Sequence, residues 1–337
     1  MITHLHFNMK NMKSGRTTIL GAATALLILG LISPAEEASA ETRAKVTEST
    51  TEVSPVVNPK IPSSMMFAGK KVDLDPTHKW ERLDRELTAM SYTHGNTLLG
   101  IKRANKYFPV IAPILKKNGV PDDIIYLAVI ESTLNPRALS AAKAGGIWQF
   151  MPSTAKEYGL EVNDYVDERY NIEKATEAAC RYLKNAYARY GNWESVAASY
   201  NGGMARITNE LSAQQVDSAY DLYLADETMR YMFRLLAMKL IMENPQDYGF
   251  ILTSDQLYQP VEYKVVEVST AVPDWASWAK SAGIDYMTLR EHNPWIRAKS
   301  LPNKTGKTYR VNIPTKESLS HSKQKKTVYN PNWVIDR

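Results

Sequence analysis

One acidic residue of this 337-residue chain stands where proton transfer is favoured. Glu131 lies at the carboxyl end of a run, Ile124, Ile125, Leu127, Ala128 and Ile130, that leaves almost no polar face. Asn135-Pro136 follows, and proline disfavours helical geometry in the residue before it, so a helix reading stops there. Two effects then act on the carboxyl group in the same direction. Loss of water disfavours the anion, and the negative end of a helix dipole disfavours it further. A carboxyl group that stays protonated near neutral pH is a general acid. On position alone, a helix-end Glu held by a neighbouring Arg fits the pattern at least as well.

Downstream residues offer the means to hold a polar chain. Ser140 precedes a Gly145-Gly146 bend, and Trp148, Gln149 and Met151 lead into a segment started by Pro152. Further on, Ala198-Ser199-Tyr200-Asn201-Gly202-Gly203 ends another helical pattern. Trp148 and Tyr200 could present ring faces to sugars, and Gln149 and Asn201 could bond hydroxyl and acetamido groups. Each aromatic taken singly is a core residue as readily as a site residue. Cys180, the only cysteine, falls in a helical pattern with no activating His nearby, and reads as a small buried apolar residue. No His/Cys/Asp cluster has metal-ligand spacing, so neither metal nor organic cofactor is expected.

The blocks Glu131-Ser132, Gly146-Ile147-Trp148-Gln149-Phe150-Met151-Pro152 and Tyr200-Asn201-Gly202 resemble, in order and spacing, the signatures of the lytic transglycosylase (goose-lysozyme-like) domain. Trp148, Val166-Asp167-Glu168-Arg169 and Glu227-Thr228-Met229-Arg230-Tyr231 are similar to the membrane-bound lytic murein transglycosylase D subfamily. The resemblance implies a lysozyme-like helical catalytic domain in which Glu131 is catalytic. Ser140, Trp148, Gln149, Met151, Tyr200 and Asn201 would meet the sugar chain, and Glu227 would support the cleft. Gly145-Gly146 stands where relatives usually carry Gly-Ala, which is expected to loosen that loop. The implied reaction breaks the bond between N-acetylmuramic acid and N-acetylglucosamine and leaves a 1,6-anhydro ring, Glu131 acting as acid and then as base. Hydrolysis would call for a second carboxylate. Asp164, Asp167 and Glu168 are the nearest candidates in sequence, although an Asp-Glu-Arg run before a helix more often makes ion pairs and caps. A muramidase-type hydrolase and a non-catalytic wall-binding protein remain the alternatives.

The elements that must position these residues are mainly helical from about Trp80 to Gln246. Pro121-Asp122-Asp123 opens the helix that carries Glu131. Asn171 and Asn192 are placed to cap the two helices leading to Tyr200, and Gly202-Gly203 stops the second. A further helix runs from about Thr228 to Glu243. After Pro260 the texture changes: Val261–Val268 alternates and is β-branched, Asp274–Ala282 and Tyr286–His292 read as helices, and Thr308–Ile313 is extended. This small α/β module (βααβ) resembles a divergent lysin motif, on Trp278, Gly283-Ile284, Leu289, Asn293-Pro294-Trp295 and Ile313-Pro314. The resemblance implies peptidoglycan binding.

Five segments follow. Residues 1–40 read as a secretory signal peptide: Lys10, Lys13 and Arg16, an apolar run to Ile32, then Ala38-Ser39-Ala40. Residues 41–66 read as a flexible linker, 67–255 as the catalytic domain, 260–315 as the lysin-motif-like module, and 316–337 as a mobile basic tail. A net charge of +5 favours weakly anionic partners without selecting one. Basic residues are scattered, so nucleic acid is not an expected partner. The expected partner is the glycan strand of peptidoglycan, met by a monomer in the periplasm or cell envelope, with membrane association possible.

Overall fold

The computed structural model describes residues 58–336. The expected signal peptide, and the linker as far as residue 57, lie outside the described residues. The first ordered element falls partly inside the expected linker. Strands β1 (Ser64–Phe67) and β2 (Lys70–Asp73) pair antiparallel, with Ser64 opposite Asp73. Ala68 and Gly69 both take positive φ at the turn, as a two-residue hairpin demands. Met65, Phe67 and Val72 reach the core. The alternation of those few apolar side chains outweighs the Thr/Ser/Pro texture before them, so the linker ends ahead of Ser64.

The helical body follows as α1 (Thr77–Tyr92), α2 (His94–Lys117), α3 (Ile125–Ser132), α4 (Pro152–Glu157), α5 (Ile172–Tyr190), α6 (Trp193–Gly202), α7 (Met204–Gln214) and α8 (Asp226–Glu243). The two asparagine caps form as the sequence indicates. Asn171 Oδ1 accepts from the Lys174 N–H at 3.0 Å, and Asn192 Oδ1 accepts from the Ser195 N–H at 2.8 Å. Helix α3 buries Ile125, Leu127, Ala128 and Val129 and packs against α2 and α8. It is central because it has almost no polar face to turn outward. Cys180 is buried in α5, and burial pushes its thiol up to about 12, so it stays an inert apolar group.

The small module is built as expected from β3 (Tyr263–Val268), α9 (Trp275–Ser281), α10 (Tyr286–His292) and β4 (Tyr309–Pro314), with β3 and β4 antiparallel. Asp274 caps α9 by accepting from the Ala276 and Ser277 N–H groups. The module does not close its core alone. Val166 and Tyr170, from the loop between α4 and α5, pack with Val268, Trp275, Leu289 and Trp295. The Asp167 N–H donates to the Trp295 carbonyl at 2.9 Å, and the Arg297 N–H donates to the Tyr165 carbonyl at 2.9 Å. Lys307 Nζ bonds Glu161 at 2.6 Å and Glu168 at 2.9 Å. A module near the lower size limit for folding alone gains apolar area by borrowing it.

The expected mobile tail is instead tied down. Asn105, fully buried in α2, donates to the carbonyls of Tyr258 (3.1 Å) and Thr327 (2.9 Å) and accepts from the Tyr329 N–H at 2.8 Å. The Trp333 indole is buried against Phe108 and donates to the Met242 carbonyl at 2.6 Å. The basic composition of Ser318–Lys326 hid the aromatic anchors beyond it. The helical body therefore comprises 58–259 together with 327–336, and the small module lies between the two stretches.

Candidate active site

Helix α3 does not run on to Pro136. It ends at Ser132, and Thr133 and Leu134 both take left-handed geometry, at φ 53° and 52°. That conformation is costly for a β-branched residue, and three contacts hold it. Leu134 is buried in the core, Arg103 Nη1 donates to the Thr133 carbonyl at 3.0 Å, and the Ser132 hydroxyl donates to the Ile147 carbonyl at 2.9 Å. The last bond ties the end of α3 to the Gly146–Met151 loop.

Glu131 is partly buried. Its Oε1 accepts a hydrogen bond of 2.7 Å from the Tyr231 hydroxyl of α8. Burial pushes its carboxyl group up to about 7. The Tyr231 bond and the charge of Arg234 oppose the rise, and the charge of Glu227 adds to it. Glu227 itself is exposed in the first turn of α8, where the helix dipole favours an acid, and it pairs with Arg234 at 3.4 Å. Burial also holds the Tyr231 and Tyr200 hydroxyls well above their ordinary values, and Glu131 reinforces both. The arrangement is a carboxyl group half-protonated near neutrality, walled by two neutral tyrosines.

The other expected site residues divide. Tyr200 stands near Glu131, with its hydroxyl donating to the Trp148 carbonyl at 2.7 Å and its ring edge-on to Tyr182 and Phe150. Asn201 is exposed in the last turn of α6, and Met151 is exposed at the start of α4. Ser140 and Gln149 serve their own loop. The Ser140 hydroxyl accepts from the Ala144 N–H at 3.0 Å, and Gln149, at φ 49°, donates to the Gly146 carbonyl at 2.8 Å. Trp148 departs from expectation, because it is wholly buried and its indole N–H donates to Thr176 Oγ1 at 2.9 Å. It anchors the loop in the core and offers no ring face to a sugar.

The glycine bend likewise has a structural cause. A Cβ on Gly146, at φ 78°, would lie 1.9 Å from the Arg169 carbonyl oxygen. The close approach is to the protein's own backbone. Nor is the loop loose. Arg169 is buried, bonds the carbonyls of Lys143 (2.7 Å) and Phe150 (2.9 Å), and pairs with Asp167 at 2.7 Å. Asp167 and Glu168 are thereby committed to ion pairs, Glu168 also with Lys174. Tyr231 and Arg234 were not singled out from the sequence. The signal was present: they follow Glu227 by four and seven residues, on one helical face. Among the described residues no group of three His, Cys, Asp or Glu could hold a metal ion.

The chain is similar to several known proteins. Residues 108–222 match the Transglycosylase SLT domain, and residues 264–317 match the Soluble lytic transglycosylase C-terminal LysM-like domain. Over 245 residues the chain is 32% identical to "Membrane-bound lytic murein transglycosylase D" of Escherichia coli, covering 71% of this chain and 52% of that protein. It is 30% identical over 133 residues to "Membrane-bound lytic murein transglycosylase C" of Yersinia enterocolitica, covering 34% of this chain and 36% of that protein. The crystal structure of the 70 kDa soluble lytic transglycosylase of Escherichia coli gives a TM-score of 0.35 at 20% identity, covering 50% of this chain and 33% of that one. The chain spans about half the length of the transglycosylase D it matches. Glu131, Trp148 and Tyr200 lie inside the residues that match the Transglycosylase SLT domain, and the match to the LysM-like domain follows them in the chain.

Proposed function

We propose that the protein is a peptidoglycan lytic transglycosylase that uses Glu131 as its only acid and base. The observation that carries this reading is the Glu131 carboxyl group, raised to about 7 and held by Tyr231 at 2.7 Å. Half of such groups are protonated at neutral pH, so the same residue can give a proton and then take one. Protonated Glu131 donates to the oxygen that links N-acetylmuramic acid to N-acetylglucosamine. As carboxylate it removes the proton from the muramoyl C6 hydroxyl, which bonds to C1 and closes a 1,6-anhydro ring. Breaking the C1–O bond thus consumes no water. Hydrolysis would need a second carboxylate across the bond; of the three candidates, Asp167 and Glu168 are spent in ion pairs and only the exposed Asp164 is left, which supports the intramolecular route.

In this reading Tyr200, Asn201, Met151, Gln149 and Ser140 border the sugar chain, and Glu227 acts through its charge on Glu131. The LysM-like module contributes to strand binding. The leader reading of residues 1–40 and the names of the relatives support an exported protein acting in the periplasm or envelope. Among the described residues no helix is long and apolar enough to cross a membrane.

Digestion of purified sacculi followed by mass spectrometry tests the proposal. Muropeptides one water lighter than hydrolysis products are expected, and none from Glu131→Gln. Reducing ends would establish a muramidase, and binding without release would establish a non-catalytic wall protein.

A further inference from the structure

Two cavities, of about 310 and 750 Å³, lie between the helical body and the LysM-like module. They share Val110, Asn171, Glu173 and Trp295, and so form one trough. Each cavity by itself falls in the range of small-ligand sites, roughly 300–1,000 Å³. Asn135, Pro136 and Arg137, which follow directly on the turn after α3, form part of its wall. A molecule seated there touches the turn that follows the helix carrying Glu131.

The charges in the trough are incomplete in a particular way. Lys106 is partly buried with its ammonium 5.5 Å from the centre of the Tyr107 ring. Among the described residues no carboxylate lies within the 4.0 Å of an ion pair. Burial pulls this ammonium below its ordinary value, and Glu291 opposes the fall only in part. Glu173, in the first turn of α5, has no cation at ion-pair distance among the described residues either. In the first cavity the other charged walls are spoken for, Arg103 by the Thr133 carbonyl and Arg137 by Glu291 at 3.3 Å, whereas at the far end of the second the exposed Arg310 has no carboxylate at ion-pair distance among the described residues. An unpaired ammonium and an unpaired carboxylate thus border the same space without meeting each other. Their complement is one molecule bearing both a carboxylate and an amine.

We propose that this trough binds the short peptide carried by muramic acid, with Lys106 taking a peptide carboxylate and Glu173 a peptide amine. The inference rests on the transglycosylase reading, since it is peptidoglycan that brings such a peptide to the site. Occupancy would steer the enzyme towards peptide-bearing strands by fixing where the strand lies relative to Glu131.

Titration of the full chain with the tripeptide L-alanyl-γ-D-glutamyl-meso-diaminopimelate, followed by calorimetry, tests it. Saturable binding is expected, weakened about tenfold or more by Lys106→Met and by Glu173→Gln, with melting temperatures unchanged. Both variants should cleave peptide-free glycan strands at the wild-type rate and peptide-bearing strands more slowly. Glu173 is exposed, so its variant reports even if Lys106→Met fails to fold. No tripeptide binding, or binding unaffected by Glu173→Gln, overturns the proposal. Equal competition by inorganic phosphate also overturns it, by showing an anion site indifferent to amines. If the tripeptide binds as stated while the wild type cleaves neither kind of strand, the trough is upheld and the enzymatic reading falls.

Discussion

The carboxyl group of Glu131 should make the protein's stability depend on pH in a defined window. Its ordinary value is 4.5 and the folded value about 7. In the unfolded chain the group therefore loses its proton first, near pH 4.5. Between that pH and about 7 the unfolded state binds fewer protons than the native state, so native stability falls as pH rises through this range. The difference of the two values, at 1.36 kcal/mol per pH unit, is about 3 kcal/mol. Partial solvent access trims this to about 2–3 kcal/mol. Glu131→Gln keeps an oxygen that can accept from Tyr231 but has nothing to titrate. Urea unfolding of wild type and variant at pH 4 and pH 8 measures the effect directly. The variant should match the wild type within about 1 kcal/mol at pH 4 and exceed it by about 2–3 kcal/mol more at pH 8. A difference that stays constant across pH would refute the claim that burial holds this proton in place. The same variant should lose strand cleavage by about a hundredfold or more.

The wild-type rate of strand cleavage should decline above about pH 7, as the acid form of Glu131 disappears, which a pH–rate profile on purified sacculi would show. Tyr231→Phe removes a bond that lowers the Glu131 value, so the alkaline limb of that profile should move to higher pH while the rate falls; an unmoved limb would count against Tyr231 as a positioning residue. Gly146→Ala forces a Cβ to within 1.9 Å of the Arg169 carbonyl oxygen in a left-handed conformation, and should destabilise the fold by about 3 kcal/mol or more on chemical denaturation. Trp333→Ala opens a cavity beside Phe108 and should cost about 3–5 kcal/mol, whereas a dispensable tail would leave the unfolding midpoint unchanged.

Sequence patterns gave away the helical body where one principle acted alone. The asparagine caps of α5 and α6, the apolar α3 and the βααβ order were all readable because period and capping agreed. Expectation failed where tertiary contacts decided. Trp148 carries the same sequence signal whether it faces a sugar or Thr176, and only packing chose the second. Gly146 signals close approach without saying to what. The tail was misjudged because Trp333 finds its pocket on α2 and α8, more than ninety positions back along the chain by way of the Met242 carbonyl. Tyr231 was legible in principle, since it shares a helical face with Glu227, but its value depends on the distance to Glu131.

The outgoing and returning chain segments beside the LysM-like module also hold each other. The Thr327 N–H donates to the Gln259 side chain at 2.8 Å, and the Glu262 N–H donates to the Ser318 hydroxyl at 3.0 Å. A domain hung from one linker samples a sphere and raises the local concentration of whatever it binds. A domain moored at both ends, and sharing Val166 and Tyr170 with its neighbour, works instead as a ruler. A strand gripped by the module would reach Glu131 at a set number of sugars from the grip, so the spacing of cuts along the glycan would be written into the fold.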